Sequence, residues 1–185
     1  MTAGSLGHGL PMAIGVALAL KMDCSDQRVF AVLSDGECNE GSIWEAATFG
    51  AAHNLEGLLA VIDYNGIQAV GRSDELMGHT SLEEKFAAFG WGARTINGNN
   101  LTEIFNALNE FPFVKGRPSV IVANTTGGAG VSFMEDEVLW HYRVPSDKDL
   151  SRALEELNGP RVSRNREFRG TAKEAFPPRA TTFST

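Results

Sequence analysis

Cysteine is nearly absent from this chain. Cys24 and Cys38 are the only two in 185 residues, which excludes a disulfide framework as the source of stability. Long apolar runs are missing as well. The most hydrophobic helix candidate, near Leu10 to Leu20, is rich in glycine and alanine and falls short of the roughly eighteen residues that a membrane span requires. No basic region precedes it, so it does not read as a secretory signal, and a cytoplasmic protein is expected. Positive charge is scarce in the body of the chain. The net charge is −7, yet from Gly159 onward six basic residues (Arg161, Arg164, Arg166, Arg169, Lys173, Arg179) face two acidic ones, leaving −11 for the first 158 residues. An acidic body argues against nucleic acid as the main partner. The expected organisation is one domain over 1–158 and a basic, poorly ordered tail over 159–185.

What is present alternates between strand and helix patterns. Arg28 to Leu33 and Gly57 to Asp63 are apolar runs that read as buried strands, with Ser42 to Leu55 between them of helical composition. Trp91 to Ile96 and Pro118 to Asn124 read as two further strands. Helices are expected over Gly9 to Lys21 (buried), Ser81 to Phe89 with Glu84 completing a capping box, Leu101 to Glu110 with Leu101, Ile104, Phe105 and Leu108 on one face, and Ser146 to Leu157. Gly66 to His79 reads as a long polar loop. This succession predicts an α/β domain, a doubly wound, mostly parallel sheet with helices on both faces.

A strand, helix and strand of this length form a right-handed parallel crossover. The crossover delivers Asp35 and Asn65, thirty residues apart, to one carboxyl edge, where open parallel sheets bind ligands. A carboxylate and an amide beside a glycine turn suit a hard cation that already carries a phosphate ligand. A dinucleotide fold is a poor alternative, because no Gly-x-Gly-x-x-Gly follows a strand. Cys38 borders the site with nothing to lower its pKa and reads as a space-filler. His8, His53 and His79 are not expected to be catalytic.

Asp35-Gly36, then Glu40, then Asn65 with Ile67, resembles the thiamine-diphosphate motif, with Ser34 in place of its usual first glycine. With Gly4-Ser5-Leu6-Gly7-His8-Gly9 and the segment from Val131 to Trp140-His141 added, the chain resembles the N-terminal half of transketolase from about Ala3 to Leu157. The resemblance implies the thiamine-diphosphate-binding fold. It also implies that Asp35, Asn65 and the Ile67 carbonyl hold Mg²⁺ or Ca²⁺, and that the Gly36 amide donates to the diphosphate. Gly4 and Leu6 would meet the aminopyrimidine through backbone groups; a plain helix-start turn is the competing reading of that loop. Glu40 would join a catalytic network at the dimer interface, against an ordinary surface glutamate. His141 would contact the diphosphate or shuttle protons near the reacting carbonyl, against a packing histidine.

In transketolases the pyrimidine domain and the histidines ahead of the glycine loop complete the site, and neither can be assigned here. The resemblance therefore implies an N-terminally shortened subunit of a split transketolase. Its partner would be a second chain carrying the pyrimidine domain, in an oligomer acting on sugar phosphates by ketol transfer. The α-subunit of a 2-oxo acid dehydrogenase and a non-catalytic assembly paralogue are the alternatives.

Overall fold

The computed structural model describes residue 2 and residues 4–159; the basic tail expected after Gly159 lies outside the described residues. Four parallel strands form the main sheet: β1 (Val29–Ser34), β2 (Leu58–Tyr64), β5 (Gly92–Asn97) and β6 (Ser119–Asn124), in the order β1-β2-β6-β5. A separate antiparallel ribbon joins β3 (Ile67–Gln68) to β4 (Gly71–Arg72). The helices are α1 (Gly9–Met22), α2 (Gly41–Ala52), α3 (Ser73–Met77), α4 (Leu82–Ala88), α5 (Leu101–Glu110) and α6 (Asp147–Asn158).

Handedness assigns the helices to faces. The chain moves one way across the sheet from β1 to β2 and on to β5, then steps back to β6. Right-handed crossovers made in opposite directions put their helices on opposite faces. Thus α2 and α4 cover one face, and α1, ahead of the first strand, packs beside them there: Leu10, Ile14, Ile43, Ala47 and Phe86 meet Ala31, Leu33, Leu58, Ala60, Ile62, Val120 and Val122. On the other face, Ala107 of α5 packs with Leu59, Ile121, Ala123 and Phe111. The inner strands β2 and β6 are buried along most of their length, as apolar runs without polar alternation require in a parallel sheet.

The first face is closed by aromatic rings. Phe86 lies 5.0 Å from Trp44 and 5.3 Å from Trp91, centroid to centroid. Both indole N–H groups are satisfied, Trp91 donating to the Ala47 carbonyl at 2.8 Å and Trp44 to that of Cys38 at 3.0 Å.

The second face is only partly covered, and several burial expectations change there. β1 is an edge strand: Ala31 and Leu33 point into the core, while Phe30 and Val32 are exposed, Val32 by 76%. On α5, Leu101, Phe105 and Leu108 are exposed and Ala107 is the buried residue. On the first face, α1, expected to be a buried helix, buries only Leu10, Ile14 and Ala17. Periodicity shows which side chains share a face but not whether anything packs on it. Residues 66–79 also differ from the expected loop, forming the β3–β4 ribbon and α3.

Phe86→Ala is expected to cost about 3–5 kcal/mol, the range for emptying a packed aromatic site. Phe105→Ser, at a position 66% exposed, should stay within about 0.5 kcal/mol of wild type. Urea unfolding of both variants checks this contrast; equal losses would show that the second face is covered.

Candidate functional site

In the sheet register Ser34 pairs with Asp63, so Asp35 and Asn65 leave neighbouring strands at the same edge. Asp35 is 5% exposed. Its Oδ1 accepts from the Gly36 amide at 2.8 Å, and its Oδ2 accepts from the Gly66 amide at 3.1 Å and from the Ser73 hydroxyl at 2.5 Å. An ionised carboxylate offers about four acceptor positions, so three donors offset its desolvation and leave capacity for one further ligand. Asn65 Oδ1 accepts from the Ile67 amide at 2.9 Å, a local Asx turn. It retains a second lone pair. Gly66 takes φ +71° between them, a conformation suited to glycine. The Asp35 loop and the β3–β4 ribbon therefore close on each other through one carboxylate.

Gly36 does not sit at the start of α2. It heads a single 3₁₀ turn, Glu37–Asn39, and α2 begins at Gly41 with Glu40 at its N-cap. The Gly36 amide here serves the Asp35 carboxylate. Glu40 is exposed and makes no side-chain cap bond.

Glu37 is a buried neighbour of Asp35 that no sequence motif singles out. Its Oε1 accepts from the Gly7 amide at 2.9 Å. Ser42 Oγ donates to the Gly7 carbonyl at 2.7 Å. Gly7 has φ +77°, and a Cβ there would collide with Ser42 Oγ and lie 2.8 Å from Glu40 Cβ, so only glycine lets the loop seat on the start of α2. Glu37 thereby ties the Gly4–Gly9 loop to the residue pair next to Asp35. Gly4 and Leu6 sit in the exposed part of this loop, where the Leu6 carbonyl accepts from His8 Nδ1 at 2.9 Å.

His141 belongs to a 3₁₀ turn, Val138–His141, that lies against β3. Trp140 is anchored by its indole N–H, which donates to the Phe133 carbonyl at 2.7 Å. The His141 ring is exposed, stands edge-on to Tyr142 at 5.5 Å and makes no hydrogen bond to Asp35, Asn65 or Ile67. The structure thus brings Asp35, Gly36, Asn65 and Ile67 together; Glu40 and His141 remain at the periphery.

Burial pushes the Cys38 thiol up to about 12, helped by the Glu37 and Asp35 carboxylates. The Tyr64 phenol is also raised, first by burial and then by Asp35 and Asp74. Both stay protonated near neutrality. The oxygen donors of Asp35, Asn65 and Ile67 fit a hard cation. Among the described residues no group of three or more His, Cys, Asp or Glu could hold a metal. The structure thus defines a class: a parallel α/β domain with a buried carboxylate and an amide side by side at its carboxyl edge.

The chain belongs to the family of the transketolase thiamine diphosphate binding domain, whose model matches residues 1–156. It is 36% identical over 158 residues to one of the subunits of the apulose-4-phosphate transketolase of Phocaeicola vulgatus, covering 85% of this chain and 56% of that protein. It is 40% identical over 157 residues to the 6-deoxy-6-sulfo-D-fructose transketolase subunit SqwG of a Clostridium species, covering 85% of this chain and 57% of that one. The chain therefore spans a little over half the length of these relatives. Among solved structures, Campylobacter jejuni transketolase matches with a TM-score of 0.76 at 27% identity, over 84% of this chain and 25% of that one.

Native protein at pH 8 should take up one equivalent of iodoacetamide, at exposed Cys24, and two once denatured. Rapid native modification of Cys38 would contradict its burial. The same shift has a sign for stability. The unfolded Cys38 thiol ionises near its ordinary value of 9.0 while the folded one keeps its proton to about 12, so its contribution is complete below pH 9 and is lost as pH rises toward 12.

Proposed function

We propose that this chain is the diphosphate-binding part of a transketolase-type enzyme whose pyrimidine domain lies on a second chain. The assembled enzyme transfers a two-carbon ketol unit from a ketose phosphate to an aldose phosphate in the cytoplasm, with thiamine diphosphate and Mg²⁺, or Ca²⁺ in its place. The observation that carries this reading is the buried Asp35 carboxylate, held by three donors beside Asn65, inside a family match over residues 1–156. Relatives that are each named as one lettered subunit of a transketolase support a two-chain enzyme.

Asp35, the Asn65 side chain and the Ile67 carbonyl would hold the cation. Gly36 and His141 would meet the diphosphate, and Gly4 and Leu6 the aminopyrimidine through backbone groups. Thiamine diphosphate supplies, when bound, the carbon nucleophile that carries the ketol fragment. The chain's own contribution is positional and electrostatic. Asp35 brings a negative charge to a preset place, and Glu37 fixes the glycine loop relative to it. Glu40 is exposed, where a partner chain would meet its carboxylate. His141 offers a titratable ring for proton movement at the substrate oxygen.

Calorimetry on the assembled two-chain protein tests the metal site. Wild type should bind thiamine diphosphate only with Mg²⁺ present. Asp35→Ala should lose that binding and its ketol transfer, keep its far-UV circular dichroism, and lose about 1–3 kcal/mol of stability from the orphaned donors. Retained metal-dependent binding in the variant would overturn the assignment. A parallel assay distinguishes the chemistry: decarboxylation of 2-oxo acids without ketol transfer would replace the transketolase reading.

A further inference from the structure

Asp35 is held on one side by its own chain neighbour, Gly36, and on the other by two groups from the ribbon segment. Of these three donors only Ser73 is a side chain. Ser73 is 8% exposed, and its hydroxyl reaches Asp35 Oδ2 at 2.5 Å across thirty-eight residues of sequence. That length lies in the short, charge-assisted range for a hydroxyl donating to a carboxylate. We infer that Ser73 is a positioning residue: it locks the Asp35 carboxylate in the rotamer that presents Oδ1 and the remaining lone pair to a divalent cation on a diphosphate.

Three features fix Ser73 itself. Its amide donates to the Gly66 carbonyl at 3.0 Å, the same residue whose amide meets Asp35. Its neighbour Arg72 donates to Asp136 Oδ1 at 2.6 Å and to the Asp136 carbonyl at 2.8 Å. The Asp136 amide in turn donates to the Gly127 carbonyl at 2.9 Å. The ribbon is thereby stapled to the 127–137 loop that leads to Trp140-His141. The Arg72–Asp136 pair is half-exposed and adds little to global stability. Its geometric effect is to anchor the residue next to Ser73, which bonds Asp35.

A carboxylate without its hydroxyl partner can rotate about χ2, and it must then be ordered again when the cation arrives. Loss of such an outer partner costs about 10–100-fold in metal affinity. The inference rests on the cation–diphosphate reading of Asp35, and the experiment separates the two. Mn²⁺ serves as the probe on the assembled two-chain protein with thiamine diphosphate present, read by the electron paramagnetic resonance signal of free Mn²⁺, with thermal unfolding measured beside it.

Wild type should bind Mn²⁺ in a cofactor-dependent manner. Ser73→Ala should weaken that binding at least about tenfold, with kcat restored at saturating Mn²⁺, and Ser73→Thr, which keeps the hydroxyl, should restore affinity. Wild-type affinity in Ser73→Ala overturns the positioning role and leaves the cation site standing. Weakened binding that Ser73→Thr does not restore, or that comes with a kcat lost even at saturation, also overturns it, because the serine is then structural. Absence of Mn²⁺ binding in wild type overturns the cation reading and this inference together.

Discussion

A carboxylate removed from water must be surrounded by donors, and the loops at the carboxyl edge of this sheet are arranged to meet that requirement at Asp35. The unpaired cost would be several kcal/mol. Three partners offset it: Gly36 from the turn after β1, Gly66 from the turn after β2, and Ser73 from the head of α3. Each brings a different stretch of chain to the same point. The Gly66 turn, the end of the ribbon and the start of α3 all converge on this one buried carboxylate. What remains at that point is one open acceptor position on a hydrogen-bonded carboxylate, at the edge where ligands bind in open parallel sheets.

A second buried carboxylate extends the arrangement. Glu37 takes the Gly7 amide, which ties the glycine loop before α1 to the turn after β1. The raised thiol of Cys38, set by burial and then by these two carboxylates, is the electrostatic signature of that crowding. The neighbourhood is apolar on its core side, where Trp44 and Phe86 pack, and polar at the sheet edge. The opposite sheet face is different in kind. An open groove of about 600 Å³ lined by Val32, Val61, Ile96, Ile104 and Leu108 reaches Asn65, so the amide half of the site borders open space while the Asp35 side chain is buried.

Much of this was legible in the sequence, for definite reasons. The runs before Asp35 and Asn65 are apolar enough to be central strands, and their length with the intervening helix forces a parallel crossover; both residues therefore had to share an edge. The bounds of α5, Leu101 and Glu110, are readable because Asn100 caps it and Pro112 follows. The short ribbon was not legible, since two-residue strands carry no periodicity. Nor were Glu37 and Ser73. Their partners lie thirty and thirty-eight residues away, and nothing local distinguishes a buried glutamate beside a glycine turn from a solvated one. The exposure of Phe30 and Val32 escaped for a related reason: an apolar run reports what a strand could bury, while coverage is decided by how far α5 reaches across the sheet.

One atom pair decides the matter, an Asp35 carboxylate oxygen and a divalent cation shared with a diphosphate. Anomalous diffraction at the manganese edge, from crystals of the assembled protein grown with Mn²⁺ and thiamine diphosphate, reads it directly. A single anomalous peak about 2.0–2.6 Å from the Asp35 carboxylate, in the range of hard-cation oxygen ligands, and shared by Asn65 Oδ1 and the Ile67 carbonyl, is the predicted result. A diphosphate bound with its manganese elsewhere, or a peak that leaves Asp35 hydrogen-bonded only to Gly36, Gly66 and Ser73, would contradict it.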